Sequence, residues 1–382
     1  MEKDDVDKYR NEFPITGRFV YLDHAGVAPI SRRVEKAICG FLSESAENGA
    51  FLYPQWFRKI VDIRKKCADL LRAETDEVAF VRSTSHGLSI VAEGMAWNQG
   101  DNVIIYEKEF PSNRYPWEHL RRKGVEVRTI PSREGRIMLD DIEQQVDART
   151  RLLSISSVQF TNGFRMDLKR TGDLCRKKGM LFCVDAIQSL GVIPMDVDAF
   201  NIDFLAADAH KWLLGPEGIG IFFCRRGLTE VIEPALVGWK SVQQQFEFER
   251  PQFDLKKDAQ RFEEGSLNVM GIIGLGAAIE LLNEVGIENI EEQVLGLGDV
   301  IIEEAERRGF EIKTPRERSA RGGNVTVCGP FDPDALRNAL REKGIMVNVR
   351  AGGVRISPHF YNTKEEIVFC FKELDRILDR EP

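Results

Sequence analysis

The sequence lacks the marks of several large protein classes. It has no CxxC pair, and its seven cysteines are an odd number, several of them inside apolar stretches. That pattern fits neither a disulfide framework nor a zinc site, and suits reduced thiols in the cytoplasm. Of the five histidines no two stand at metal-ligand spacing, so no catalytic metal is expected. The most apolar long stretch, 271–282, is too short to cross a bilayer and carries three glycines. The charged start, 1–10, has no apolar core of a secretory signal. The densest basic run is Arg121-Arg122-Lys123, and the net charge is −8. Neither a nucleic acid nor a membrane is an expected partner. Repeats and low-complexity segments are absent.

What the sequence does contain is a long alternation of short apolar runs and helical stretches. Its 382 residues, 43% hydrophobic and 30% charged, fit a soluble protein of two domains. Strands are predicted at 103–106, 125–130, 152–156, 181–184, 204–207 and 220–224, with helices between most of them, as at 113–123 and 168–178. Such alternation predicts an α/β fold built on a mostly parallel, doubly wound sheet, with ligands at the carboxyl ends of the strands. A polar stretch, 243–261, then leads into a long helix over 265–282. Beyond it come a helix at 288–308, strands at 324–328, 345–348 and 354–357, and a closing helix at 363–379. We therefore expect a large domain over 18–265 and a linking helix with a small α+β domain over 266–382. Residues 1–17 form an arm that could pack with the small domain.

The densest chemistry lies in 181–224, LFCVDAIQSLG…DFLAADAHKWLLGPEGIGIFFC. Asp185 ends an apolar run, and so stands at the carboxyl end of a strand. Gln188 is three residues on, and Lys211 follows the next strand, beside His210 and before Gly215-Pro216. A lysine whose amine is kept neutral by burial can hold an aldehyde as a Schiff base. A carboxylate opposite a pyridine nitrogen keeps it protonated, so that the ring can accept electrons from Cα. Gln188 could donate to the ring's 3-oxygen. Alone, Asp185 could cap a helix and Lys211 could be a surface lysine. Together they point to pyridoxal 5′-phosphate, with Lys211 and Asp185 as the catalytic residues.

These motifs are similar to those of the class V aminotransferases, a family of fold-type-I pyridoxal-phosphate enzymes, and within it to the cysteine desulfurase-like, isopenicillin N epimerase-like and kynureninase-like branch. The resemblance runs from Tyr21-Leu22-Asp23 to about Tyr361 and centres on VDAIQSLG followed by AHK. It implies the same roles for Lys211, Asp185 and Gln188. It also implies that Thr84 and Ser85, at a helix start, hold the phosphate with His210. Phe110 then stacks on the cofactor ring. Ser266 reaches the phosphate of a neighbouring subunit and Trp239 lies near the dimer's active site, so a homodimer with shared sites is expected. At the substrate end, Arg355 grips the carboxylate of a small amino acid, Arg350 is a second candidate, and His24 borders the substrate. Asp208 stands where desulfurases often have a phosphate-binding serine, and no role is carried over to it.

Transamination is the leading expectation for the reaction, with desulfurase- or lyase-type β-elimination and epimerisation as alternatives. The segment 350–355, RAGGVR, is short and has no cysteine, which disfavours thiol-dependent desulfuration. Two other classes are weighed against these. A nicotinamide dehydrogenase needs G-x-G-x-x-G after a strand, and the nearest match, at 274–278, lies inside a helix pattern. A catalytically silent binding protein should lack the lysine or the aspartate, and both are present.

Overall fold

The computed structural model describes residues 3–379. The chain opens with α1 (Lys3–Arg10), β1 (Val20–Tyr21), α2 (Arg32–Asn48) and α3 (Tyr53–Leu71). Alternation then begins with β2 (Val78–Val81), α4 (Thr84–Gly94), β3 (Asn102–Tyr106), α5 (Tyr115–His119), β4 (Glu126–Ile130) and α6 (Leu139–Gln145). It continues through β5 (Thr150–Ser156), α7 (Leu168–Lys178), β6 (Leu181–Asp185), β7 (Phe204–Asp208) and β8 (Gly220–Cys224).

These seven strands from β2 to β8 form one sheet in the order β2-β8-β7-β6-β5-β3-β4. β8 runs antiparallel to both neighbours, and every other pairing is parallel. The expected mostly parallel α/β sheet is what the chain forms. Helices cover both faces, so the strands read as continuous apolar runs. Val103, Ile105, Phe204 and Phe222 face α4, while Ile104, Leu153, Val184 and Phe223 pack on the opposite side. Predicted helix 113–123 shortens to the five residues of α5, with 3-10 turns on either side. Pro111 and Pro116 bring a fixed φ and no N–H into this stretch.

The chain continues with α8 (Val269–Val285), α9 (Ile287–Arg307), β9 (Glu311–Ile312), β10 (Val325–Cys328) and α10 (Pro333–Glu342). It closes with β11 (Ile345–Met346), β12 (Asn348–Arg350), β13 (Gly353–Ile356) and α11 (Lys364–Ile377). The glycines of 274–278 lie inside α8, where a Cβ on Gly274 would come within 2.9 Å of Ile38 and one on Gly276 within 2.6 Å of Ile63. Their absent side chains let α2 and α3 approach closely. Among the described residues no single helix is long and apolar enough to cross a membrane. An antiparallel sheet, β12-β13-β10-β9, packs on α9, α10 and α11 around Ile301, Val327, Leu340 and Phe371. The expected single strand at 345–348 divides at Val347. β11 pairs with β1, whereas β12 pairs with β13. The N-terminal stretch touches this unit: Phe13 stacks on Tyr361 at 3.8 Å, and Arg10 bonds Glu366 at 2.9 Å.

Candidate active site

The carboxyl ends of β6 and β7 open onto a cavity of about 350 Å³. It is lined by Phe110, Gln188, His210, Lys211, Arg350 and Arg355, with Tyr21, Asp23, Phe160 and Asn348 on the wall. Larger cavities, of about 1090, 630 and 560 Å³, lie elsewhere. Their polar rims are largely paired, through Arg136–Glu317, Lys313–Glu311 and Arg165–Glu291.

Asp185 ends β6, only 1% exposed, and its carboxylate accepts a hydrogen bond from the Ile187 N–H at 3.0 Å. Burial pushes its carboxyl well above the ordinary range, and the nearby Glu109 and Asp208 push it further. Lys211, in the turn after β7, is pushed down, first by burial and then by Arg355 and Arg350, while Asp185 opposes the shift. Its Nζ lies 5.6 Å from the centre of the Phe110 ring. Asp185 is thus buried and Lys211 half-buried, neither with a close ion pair, and each is shifted toward its neutral form.

Gln188 shows how a neighbour can fix an amide. The indole N–H of Trp212 donates to Oε1 at 2.8 Å, and Nε2 donates to the Ala25 carbonyl at 3.0 Å. An indole can only donate and a carbonyl can only accept, so the amide has one orientation. One N–H remains for an acceptor in the cavity. His210 Nδ1 is buried and lies 3.3 Å from Asp208 Oδ1, without the alignment of a hydrogen bond.

Ser83 caps α4 by accepting from the His86 N–H, which puts Thr84 and Ser85 in the first turn. Thr84 Oγ1 accepts from the Asp208 N–H at 3.0 Å, tying the start of α4 to the end of β7. Ser85 donates to Ser112 Oγ at 2.7 Å. Neither residue lines the Lys211 cavity, but α4 presents its positive end beside β7. The unmet donors and acceptors of the site fit pyridoxal phosphate: a half-buried amine, a buried carboxylate without a cation, a spare amide N–H and an unbonded imidazole.

Asp185, like Thr84 and Ser85, is not among the residues lining this cavity, and three further expected residues stand apart from it. His24 is fully buried, with Nδ1 2.9 Å from the Ser357 carbonyl and Nε2 2.6 Å from the Tyr361 hydroxyl. Both ring nitrogens are engaged, and burial lowers its pKa, so it is placed as a neutral core histidine. Ser266 is exposed, and half-buried Trp239 lies 6.0 Å from Phe246 and 6.4 Å from Phe248. Asp23, Phe160, Asn348 and Trp212 were missed by the sequence reading. Only Trp212, directly after Lys211, had a local signal.

The arginines sit on the hairpin of β12 and β13, where Arg350 pairs with Gly353. Two residues, Ala351 (φ 51°) and Gly352 (φ 74°), make the whole connection, both in the left-handed region that tight hairpin turns require. Cys328 lies beneath it: a Cβ on Gly353 would come within 2.5 Å of its Sγ. Burial raises the Cys328 thiol, and none of the seven cysteines lines the Lys211 cavity.

The family model for Aminotransferase class-V matches residues 20–368. The chain belongs to the class V aminotransferase family. A probable cysteine desulfurase of Methanothermobacter thermautotrophicus is 31% identical, covering 99% of this chain and 98% of that protein. A probable cysteine desulfurase of Pyrococcus abyssi is 30% identical over 94% of each. The apo structure of a cysteine desulfurase from Thermococcus onnurineus superposes with a TM-score of 0.91, at 26% identity over 99% of both chains. This class V protein is accordingly an enzyme, a transferase or a lyase, on the fold-type-I architecture. The relatives favour the desulfurase or lyase alternative over plain transamination.

Proposed function

We propose that the protein is a pyridoxal-phosphate-dependent lyase that breaks the Cβ–S bond of a small sulfur amino acid such as cysteine, with no thiol of its own taking part. The observation that carries this reading is the two-residue turn at Ala351–Gly352, which leaves the arginine-bearing hairpin with no loop and no cysteine. The names of the relatives direct the substrate toward cysteine. A persulfide-forming desulfurase, however, needs a reachable thiol, and Cys328 is buried under Gly353.

In this reading Lys211 would hold the cofactor's aldehyde carbon, Asp185 would serve the ring nitrogen, and the spare N–H of Gln188 the 3-oxygen. Phe110 would pack on the ring. Thr84, Ser85 and His210 would hold the phosphate with the start of α4. When bound, the pyridinium ring takes up the electron pair released at Cα. Lys211, whose amine burial pushes down to about 8, takes the Cα proton. Arg350 and Arg355 orient the substrate carboxylate. Overall, cysteine and water give pyruvate, ammonia and hydrogen sulfide.

A second copy of the chain completes the proposal. Ser266 is exposed here, and Phe246 and Phe248 are 58% and 71% exposed beside Trp239, as expected of a face covered by a partner subunit. Six of the seven cysteines are buried and none is paired, which suits a reducing cytoplasm.

The test is sulfide release from L-cysteine by the cofactor-loaded enzyme without added reductant, in the native protein and in Cys328→Ser. We expect equal, sustained rates within about twofold, since the mutation touches no reacting group. A reaction that stops after one turnover until a thiol is added, or that Cys328→Ser abolishes, would overturn the reading.

A further inference from the structure

Asp23 has no part in the roles given so far, yet it governs the charge of the substrate wall. Its Oδ1 accepts from Arg355 at 3.1 Å, and its Oδ2 accepts from Asn348 Nδ2 at 2.8 Å. Gly26 makes room for it, because a Cβ there would lie 2.5 Å from Oδ2. Arg355, 1% exposed, also donates to the Phe160 carbonyl at 3.1 Å, which leaves its Nε buried and unpartnered.

Arg350 is held differently. It donates to Asn348 Oδ1 at 3.0 Å and to the Val349 carbonyl at 2.6 Å, both neutral groups. Asn348 therefore spans the two systems, giving an N–H to Asp23 and accepting from Arg350. The wall carries two guanidiniums and one carboxylate, a net single positive charge. One substrate carboxylate balances it. A second anionic group would be taken from water into the cavity with no further guanidinium on this wall to meet it, which is unfavourable.

We propose that Asp23 is a specificity-determining residue: by cancelling the charge of Arg355 it leaves Arg350 as the uncompensated guanidinium, so the site takes amino acids with one carboxylate and an uncharged side chain and rejects those with a second anionic group. This rests on the reading that the cavity receives an amino-acid carboxylate, and it adds the substrate class. Arg355 becomes a neutralised donor that shapes the wall, and Arg350 supplies the charge that draws the carboxylate in. Acidic side chains, carboxylate or sulfinate, are the class excluded.

The experiment measures binding rather than turnover. Cofactor-loaded native protein, Asp23→Asn and Asn348→Ala are titrated calorimetrically with propionate and with succinate, which lack the amino group and cannot react. The native protein should favour propionate. In Asp23→Asn the ratio of the succinate to the propionate dissociation constant should fall by about tenfold or more, because one unit of positive charge is released close to the ligand. Asn348→Ala loosens the same clamp without changing its charge, and should leave the ratio within about twofold. An unchanged ratio in Asp23→Asn, or an equal shift in Asn348→Ala, would overturn the proposal. Pyruvate formation from cysteine is followed on the same samples. A shifted ratio without pyruvate would refute the lyase reading alone, and pyruvate with an unshifted ratio would refute the role of Asp23 alone. Failure of both acids to bind would remove the role of Asp23, and with no pyruvate formed it would remove the lyase reading as well.

Discussion

Two buried acid–base pairs divide the labour of this molecule. Arg64 and Glu263 meet as a fork, at 2.5 and 3.0 Å, almost wholly out of water. Arg64 also donates to the Val78 carbonyl at 2.9 Å, and Glu263 accepts from the Phe80 N–H at 2.9 Å. Asp185 is as deeply buried and Lys211 is half-buried, but they share no close ion pair, and burial drives each toward its neutral form. A satisfied pair is architecture, joining α3 to the edge of the large sheet. The unsatisfied pair is, in the proposed reading, where a group would give the carboxylate a cation and the amine a carbonyl. Deep burial alone does not mark function in this fold; burial with unmet hydrogen-bonding and charge does.

The comparison can be broken from either side, because the two pairs should respond with opposite sign. Glu263→Gln leaves Arg64 buried without its counter-charge and should cost about 3–5 kcal/mol, read as a lower midpoint in chemical denaturation. A loss below about 1 kcal/mol would show that the pair is not structural.

Asp185→Asn should do the reverse in the cofactor-free protein. The folded carboxyl titrates above its ordinary value of 3.8, so the folded state holds the proton more tightly than the unfolded chain. That contribution to stability is fully present below about pH 4 and is lost as pH rises through the higher folded value. The introduced amide cannot ionise, so the variant should gain on the native protein as pH rises from about 5 to about 8, reaching a melting temperature a few degrees higher. A difference that shrinks over this range would contradict the assignment. The variant should nonetheless turn over poorly once loaded, since nothing then keeps the ring nitrogen protonated.

The large sheet was legible because parallel strands covered on both faces read as unbroken apolar runs, and β3 to β8 follow those runs closely. Lys211 and Asp185 were legible because each follows such a run and few other residue types meet their chemical demand. The wall was not. Asp23 and Arg355 are 332 residues apart, and nothing near either one announces the other. His24 was misplaced by its neighbour: the chain turns at 23–26, where the Gly26 N–H donates to the Asp23 carbonyl, and Asp23 faces the cavity while His24 faces Ser357 and Tyr361. The division at Val347 depends on β1 pairing with β11, a contact between the two ends of the chain that no local pattern encodes.

The most direct test of the central claim is the fate of the carbon skeleton of 3-¹³C-labelled L-cysteine, followed by NMR with the cofactor-loaded enzyme and with Lys211→Ala as the blank. β-Elimination without a protein thiol predicts labelled pyruvate, with ammonia and sulfide in equal amounts, and nothing from the blank. Labelled alanine would mean that a thiol had taken the sulfur, and labelled mercaptopyruvate would mean transamination; either would contradict the account.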